Sequence, residues 1–207
     1  PEKSLEDLCE GLSKTHGIQC GQAFGFSNNY VVIARKGLNI SQISDLKGLD
    51  TLNMGFSNEF ISREDGFKGL NKFYELALPA PSGLDHGLAY KGLSEASIDI
   101  TDAYSTDGKL SEYDFKTLED DLNFFPDYEA LPLFNSKSFE KFPQASEALD
   151  ELSGALDELT MQALNKRVEV DKEKTELVAY NFLLAKGLIT ESDQPNAANP
   201  ILKQVLE

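Results

Sequence analysis

The stretch "ASIDITDAYSTDGKL", residues 96–110, combines a predicted strand with a cluster of polar residues at the end of that strand. Apolar and polar residues alternate in its first half, which is typical of a β-strand. Its second half opens with Tyr104 and continues with serine, threonine, aspartate and glycine. In α/β sheets such strand ends face the crevice in which ligands bind, so the stretch predicts a candidate site at Tyr104.

The segments before this stretch alternate between helix and strand patterns. Leucines spaced by three and four residues give residues 3–15 an apolar helix face, and Ser4 with Asp7 three residues later predicts a capping box. The further elements, in chain order, are a strand at "YVVIA" (30–34), a short helix at "SQISDLKGL" (41–49), a strand at "TLNMGFS" (51–57), a helix from near Ser62 and a helix at "LDHGLAYKGLSEA" (84–96). This alternation predicts an α/β fold with a mostly parallel sheet.

The chain changes character after residue 110. The acidic run at 119–121 predicts a solvated turn, and the aromatic, proline-containing "NFFPDYEALPLF" (123–134) predicts an extended segment. From Phe139 the pattern is helical, and Gly187 is expected to end the last helix. The segment "ESDQPNAANP" (191–200) predicts a loop near the C-terminus.

The charge balance limits the class of partner. The chain of 207 residues has a net charge of −16, from 35 acidic and 19 basic residues. Such a chain repels a phosphate backbone and an anionic membrane surface, which argues against nucleic acid and lipid as partners. The charge mainly favours solubility, and its field favours cationic ligands.

The cysteines and histidines limit the chemistry open to the chain. Cys9 and Cys20 lack the paired spacing of a zinc site, and we expect buried free thiols, with a bridge between them as the alternative. His16 and His86 stand apart, so neither a metal cluster nor a Ser-His-Asp set is evident. We therefore predict no catalytic residue, no metal and no cofactor.

Aromatic residues and one arginine mark the candidate site. Tyr30, Tyr104 and Tyr128 each lie at an element boundary next to glycine, proline, asparagine or aspartate, although a tyrosine in any of these places is often a core residue. Arg63 lies near the predicted start of a helix, where the helix dipole does not favour a cation. It either reaches a ligand or pairs with a neighbouring carboxylate, Glu59 or Asp65.

Several of these segments, in this order, resemble the substrate-binding component of osmoprotectant ABC transporters. They are "GFSNNYVVIA" (25–34), "ISDL" (43–46), "EFISREDGFKGL" (59–70), "LDHGLAYKGL" (84–93), "IDITDAYSTDGKL" (98–110), "LEDDLNFFPDYEALPL" (118–133) and "LTMQALNKRV" (159–168). The resemblance implies an α/β, type II periplasmic-binding-protein-like fold of two lobes with mostly parallel sheets. It also implies an extracytoplasmic protein that captures glycine betaine, choline or carnitine and delivers it to an ABC permease in the membrane.

The resemblance also implies roles for individual residues. Tyr30, Tyr104 and Tyr128 match the family tyrosines that enclose the trimethylammonium group, which attracts aromatic faces because it is cationic and has no N–H to donate. Arg63 matches the arginine that holds a ligand carboxylate through its planar fork. Asn28 falls where the family presents a backbone carbonyl to the ammonium end.

From the resemblance we expect the chain to lack the N-terminal part of the family's first lobe. We expect a complete lobe at residues 26–125 and an incomplete lobe, with C-terminal helices, at 1–25 and 126–207. We expect the open edge of the incomplete lobe to favour homodimers or strand-swapped assemblies.

Two other functions remain open at this point. The first is an interaction or sensor domain that has the same fold and no longer binds ligand. The second is a hydrolase with a metal between Asp102, Asp107 and the run at 119–121, which the lack of histidine ligands argues against.

Overall fold

The computed structural model describes residues 4–194, except for the side chains of Ser138 and Phe139. The chain forms two compact units: a central unit, Ser27–Tyr128, and a terminal unit, which combines Pro1–Phe26 with Glu129–Glu207. In chain order the elements are α1 (Leu5–His16), β1 (Ile18–Cys20), β2 (Tyr30–Ala34), β3 (Gly55–Ser57), α2 (Asn58–Ser62), α3 (Phe67–Phe73), β4 (Ser82–Leu84), α4 (His86–Ser94), β5 (Ile100–Tyr104), β6 (Lys116–Thr117), β7 (Leu133–Asn135), α5 (Ser136–Lys141), α6 (Pro143–Asp150), α7 (Glu158–Glu169) and α8 (Thr175–Ala185). Short 3-10 helices span Ile43–Leu46, Gly108–Ser111 and Glu191–Asp193.

The first helix of the terminal unit begins at the predicted capping box. The backbone N–H of Asp7 donates to Ser4 Oγ at 3.1 Å, and the backbone N–H of Ser4 donates to the Asp7 carboxylate at 3.2 Å. These bonds satisfy donors that the first turn of a helix otherwise leaves unpaired. The helix ends at Gly17, whose φ of 62° costs glycine little because it has no Cβ.

A disulfide joins Cys9 to Cys20, with the two Cα atoms 5.8 Å apart, so the expectation of free thiols is wrong. The reversal at Gly17 explains it, because β1 packs against α1 and brings the second cysteine to the first. β1 also pairs antiparallel with β7, with Cys20 opposite Leu133. The disulfide therefore fixes α1 to this two-stranded ribbon.

Residues 136–185 of the terminal unit are largely helical, as predicted from Phe139 onward, and the first of these helices begins at Ser136. α8 buries Val178 and Tyr180 and ends before Gly187, which has a φ of 72°. In the predicted loop at 191–200, Glu191–Asp193 form a 3-10 turn, and residues 195–200 lie outside the described residues. Among residues 4–194, no helix is long and apolar enough to cross a membrane.

The sheet of the central unit differs from the prediction in strand direction. β2 lies between β5 and β6 and is antiparallel to both, whereas β3 pairs with β4 in parallel. A parallel bridge from Met54 to Ile100 sets β3 and β5 in the same direction. Three of the four ladders between described strands are antiparallel, so the prediction of mostly parallel sheets is wrong for these ladders. The helix–strand alternation correctly indicates crossovers among β3, β4 and β5, but β2 precedes it and runs the opposite way.

Apolar side chains cover this sheet on both faces. Val32 on β2 belongs to the main core, and its neighbour Ile33 belongs to a second cluster with Tyr90 and Leu93 of α4. The main core also contains these almost fully buried residues: Ile43, Leu46, Phe56, Phe60, Leu70 and Ile100. Burial on both faces explains why "YVVIA" is continuously apolar.

The helix predicted from near Ser62 is in fact two helices, α2 and α3. Ser57 starts α2, because its Oγ accepts a hydrogen bond from the backbone N–H of Phe60 at 3.1 Å. A Cβ at Gly66 would lie 2.0 Å from the Phe60 carbonyl oxygen, so the turn between the helices requires glycine. As a result, Arg63 is the C-terminal cap of α2 and does not lie near the start of a helix.

Candidate functional site

Two of the predicted tyrosines meet because of the register between β2 and β5. Tyr30 begins β2, Tyr104 ends β5, and the two residues are direct partners in the antiparallel ladder. Their ring centroids are 5.0 Å apart, and the Tyr104 hydroxyl lies 3.4 Å from the Tyr30 hydroxyl. The pairing places two phenol rings side by side at one end of the sheet.

Tyr128 joins this pair through backbone contacts with residues 28 and 29. Its backbone N–H donates to Asn29 Oδ1 at 2.9 Å, and its carbonyl accepts from the N–H of Asn28 at 3.0 Å. The ring lies 6.1 Å from the ring of Tyr30 and perpendicular to it. Asn28 is exposed, and its Oδ1 accepts from Thr106 Oγ1 at 2.6 Å.

Arg63 lies over the same aromatic group. Its guanidinium carbon is 5.9 Å from the centroid of the Tyr30 ring, a distance at which a cation attracts the ring face. Its Nε and Nη2 donate to the two carboxylate oxygens of Asp65 at 2.7 and 2.6 Å, and Nη1 lies 3.4 Å from Glu59. The structure thus shows the pairing with neighbouring carboxylates that the sequence left open.

Asp65 and Glu59 also bind the phenols, so the arginine, the acids and the rings form one network. The Tyr128 hydroxyl donates a hydrogen bond to Asp65, and the Tyr104 hydroxyl lies 3.3 Å from Glu59 Oε2. The hydrogen bond from Arg63 lowers the pKa of Asp65 to about 2. Asp65 is therefore ionised at neutral pH and paired with the Arg63 guanidinium within this network.

The three phenols are neutral at physiological pH. Burial raises the pKa of Tyr128 to about 12 and raises the pKa values of Tyr30 and Tyr104 above the usual tyrosine range. Hydrogen bonds to Asp65 and Glu59 act in the same direction on Tyr128 and Tyr104 respectively. Each ring thus keeps its hydroxyl proton.

The three rings differ in how much surface they expose. Tyr30 is 4% exposed and packs in the main core against Phe60 and Phe125, with ring centroids 5.0 and 6.1 Å away. Tyr104 and Tyr128 are half-buried and pack against the edge of that core. Tyr30 thus supports the cluster from behind, and the other two rings present its accessible surface.

A second group lies behind Tyr104, centred on Asp102, which the sequence suggested only as a candidate metal ligand. Asp102 is fully buried, and it binds Ser57 and His86 through its carboxylate. The His86 ring also packs edge-to-face on Tyr104, with centroids 5.4 Å apart. Sequence reasoning missed His86 because its contacts depend on the tertiary fold. The available signal was Asp102, an acidic residue inside the predicted strand.

In the acidic run at 119–121, Glu119 forms a β-bridge with Gln42, and a turn follows from Asp120 to Asn123. The two aspartates accept hydrogen bonds from other parts of the chain. Asp120 accepts hydrogen bonds from the Tyr74 hydroxyl at 2.5 Å and from two backbone N–H groups. Asp121 accepts from Ser44 Oγ at 2.5 Å. Within residues 4–194, no three histidine, cysteine, aspartate or glutamate side chains are grouped as metal ligands.

The chain matches the family described as the substrate-binding domain of ABC-type glycine betaine transport systems, over residues 4–185. It belongs to this family, which is a family of transport substrate-binding domains. Its type II periplasmic-binding-protein-like α/β fold, predicted from the sequence, is confirmed. It is similar to a solved structure described as a glycine betaine/carnitine/choline ABC transporter, with 26% identity and a TM-score of 0.75. This similarity covers 91% of this chain and 72% of that one.

Two curated relatives show a similar level of identity. The carnitine transport binding protein OpuCC of Listeria monocytogenes is 31% identical to this chain. The match covers 88% of this chain and 61% of that relative. The ergothioneine transport permease/ergothioneine binding protein EgtU of Helicobacter pylori is 36% identical over 79% of this chain and 31% of its own length. The chain thus spans about three fifths or less of these two relatives.

Proposed function

We propose that the chain is part of an extracytoplasmic solute-binding protein that captures a quaternary-ammonium osmoprotectant for an ABC importer. The observation that carries the proposal is the convergence of Tyr104 and Tyr128 around the Tyr30 ring, beside Arg63. These residues come from strand ends, a helix end and a loop. The three rings form a neutral aromatic surface next to the carboxylates of Glu59 and Asp65.

A trimethylammonium group suits this surface. It carries a diffuse positive charge on apolar methyl groups and has no N–H, so ring faces both attract and cover it. Each well-placed ring contributes roughly 0.5–2 kcal/mol. Glu59 adds a negative potential beside the Tyr104 hydroxyl. We assign the exposed faces of Tyr104 and Tyr128 to this contact and the backbone carbonyl of Asn28 to the ammonium end.

The proposed role of Arg63 is to hold the carboxylate of a betaine. Asp65 occupies one edge of the guanidinium fork through Nε and Nη2, which leaves the N–H groups directed away from Asp65 for a ligand carboxylate. A ligand of this kind competes with the contact from Nη1 to Glu59, which is long at 3.4 Å. Choline has no carboxylate and does not need this contact.

The comparisons support the ligand class. Glycine betaine is named in the family description, and carnitine is named for a relative that is 31% identical. Both compounds combine a trimethylammonium group with a carboxylate. The preferred compound depends on how the rings are placed around the methyl groups. Calorimetry measures that preference directly, as the affinity for each compound.

Isothermal titration calorimetry of the folded chain with glycine betaine, choline and carnitine tests the proposal. We expect saturable heat with at least one of the three compounds. Tetramethylammonium separates the ammonium contact from the carboxylate contact, because it carries only the former. A folded sample that gives no heat with any of these compounds rules the proposed function out.

One observation favours a second candidate, an interaction or sensor domain of the same fold that does not bind ligand. The Tyr30 ring is buried, and Arg63 lies over it, so this ring offers little surface to a ligand. A thermal stability screen separates the candidates. Betaines should stabilise a solute-binding protein, divalent metals should stabilise a metal-dependent hydrolase, and neither should stabilise an interaction or sensor domain that binds no ligand.

The lobe boundaries and the assembly state are part of the same proposal. We assign one lobe to residues 26–125 and the other to 1–25 with 126–207, with the ABC permease as the membrane partner. The homodimer or swapped assembly stays a prediction, which light scattering checks. The permease partner is tested by ligand-stimulated ATP hydrolysis of the reconstituted transporter.

A further inference from the structure

His86 connects the interior of the central unit to the proposed ligand-binding ring. It is the first residue of α4, and its Nε2 lies 2.8 Å from Asp102 Oδ2. Its ring packs edge-to-face on Tyr104, with centroids 5.4 Å apart. One imidazole thus touches both a buried carboxylate and a ring that we assign to the ligand.

The buried carboxylate also holds the segment that carries the polar half of the site. Asp102 is 0% exposed, and it accepts hydrogen bonds from the backbone N–H of Ser57 at 2.6 Å and from Ser57 Oγ at 2.7 Å. Ser57 caps α2, which contains Glu59 and ends at Arg63. A change in charge at the His86–Asp102 pair therefore acts on Tyr104 through His86 and on α2 through Ser57.

Carboxylates face His86 from each neighbouring element. Asp102 lies on β5, Asp107 follows β5, and Asp85 is the N-cap of α4 itself. The hydrogen bond to Asp102 raises the pKa of His86 above its ordinary value, although burial acts in the opposite direction. The imidazole therefore keeps its proton to a higher pH than an isolated histidine does.

We propose that His86 is a positioning residue that couples capture of the cationic ligand to protonation, so that the ligand is held more weakly when His86 is charged. This inference rests on the proposed function. Protonation of His86 adds one positive charge directly behind Tyr104. The imidazolium then packs against the ring that attracts the cationic ligand and repels that ligand. By linkage, the bound ligand must also lower the affinity of His86 for its proton.

Choline is the suitable probe, because its charge does not change in the relevant pH range and it has no carboxylate. Calorimetry of the full chain from pH 5.5 to 8.5 should show choline affinity rising roughly three- to tenfold as His86 loses its proton, the size expected for Coulomb repulsion between two charges on opposite sides of one ring. His86→Gln keeps an N–H donor for Asp102 and does not titrate, so its affinity should be independent of pH. His16→Gln is the matched control, since the chain has two histidines and His16 is exposed on α1.

The outcomes separate this inference from the proposed function. Choline binding that does not depend on pH, or a pH dependence that persists in His86→Gln, overturns the role of His86 and leaves the proposed function standing. A folded wild-type chain that binds none of choline, glycine betaine, carnitine and tetramethylammonium at any pH overturns both. A second measurement does not require the variant to fold: choline should lower the pKa of the His86 imidazole of the wild type in an NMR titration, and an unchanged pKa rules the coupling out.

Discussion

Tyr30 and Tyr104 face each other across the β2–β5 ladder, with ring centroids 5.0 Å apart and hydroxyls 3.4 Å apart. The two residues are 74 positions apart in the chain, so the pairing of the strands alone brings them together. The same end of the sheet receives Arg63 from the end of α2 and Tyr128 from the loop after β6. The candidate site is thus a consequence of strand register.

Replacing Tyr104 tests the aromatic contact. Tyr104→Ala removes a half-buried ring that we place against the ammonium group, and we expect it to weaken choline binding at least about tenfold. Calorimetry at fixed pH measures the change. Tyr113→Ala is the control, because Tyr113 is an exposed tyrosine of the same unit that stacks on Phe115, away from the cluster. Unchanged affinity in Tyr104→Ala would take the ring out of the site.

The ion pair between Arg63 and Asp65 should make stability depend on acid pH. The pKa of Asp65 lies at about 2 in the folded chain and at 3.8 ordinarily, so the pair contributes stability that is complete above pH 3.8. That contribution is lost as the pH falls through about 2. Because the ion pair is partly exposed, solvent screens it. We therefore expect it to contribute about 1 kcal/mol to the free energy of unfolding, which is less than the shift in the Asp65 pKa alone implies.

Urea unfolding of Asp65→Asn and of the wild type from pH 7 to pH 2.5 measures this effect. The difference in unfolding free energy should be constant near neutral pH and shrink toward pH 2.5. Asp50→Asn, at an exposed position, should match the wild type throughout. A difference that grows as the pH falls would contradict the assignment.

Local features of this fold were predictable from the sequence. The capping box of α1, the buried strand β2 and the end of α8 before Gly187 depend on residues within a few positions of each other. The alternation of apolar and polar residues in the first half of the stretch 96–110 correctly predicted that Tyr104 ends a strand. These elements need only propensity and periodicity, which a single sequence carries.

Features that depend on long-range packing were not predictable in the same way. The break between α2 and α3 arises because Gly66 approaches the Phe60 carbonyl, and it moved Arg63 to a helix end. The disulfide depends on how β1 returns along α1. The contact of His86 with Asp102 joins residues that are 16 positions apart on different elements. Charge and spacing in sequence do not encode such distances.

Reduction of the disulfide should destabilise the terminal unit. The bridge closes a short loop between Cys9 and Cys20, and the chain-entropy estimate for a loop of this size is roughly 3 kcal/mol. We expect dithiothreitol to lower the melting temperature of the wild type by several degrees. The double variant Cys9→Ser with Cys20→Ser should melt at the lower temperature with or without reductant. Equal melting of the oxidised and reduced wild type would show that the bridge does not stabilise the fold.

The carboxylate of Asp120 should support both the stability of the central unit and the site. It accepts hydrogen bonds from the Tyr74 hydroxyl and from the backbone N–H groups of Phe124 and Phe125, so Asp120→Ala leaves three donors without their acceptor. Unsatisfied donors cost roughly 1–3 kcal/mol each where water cannot reach them, and because this turn is half-buried we expect a total loss of about 2 kcal/mol.

Urea unfolding followed by circular dichroism measures the loss, with Glu119→Ala at the adjacent exposed position as the control. Ligand affinity should fall as well, because the Phe125 ring packs 6.1 Å from the Tyr30 ring and its backbone is held by Asp120. A variant with reduced stability and unchanged choline affinity would show that the turn at 119–121 does not help to position the tyrosines. Equal losses of stability in the Asp120 and Glu119 variants would contradict the hydrogen-bonding role of Asp120 itself.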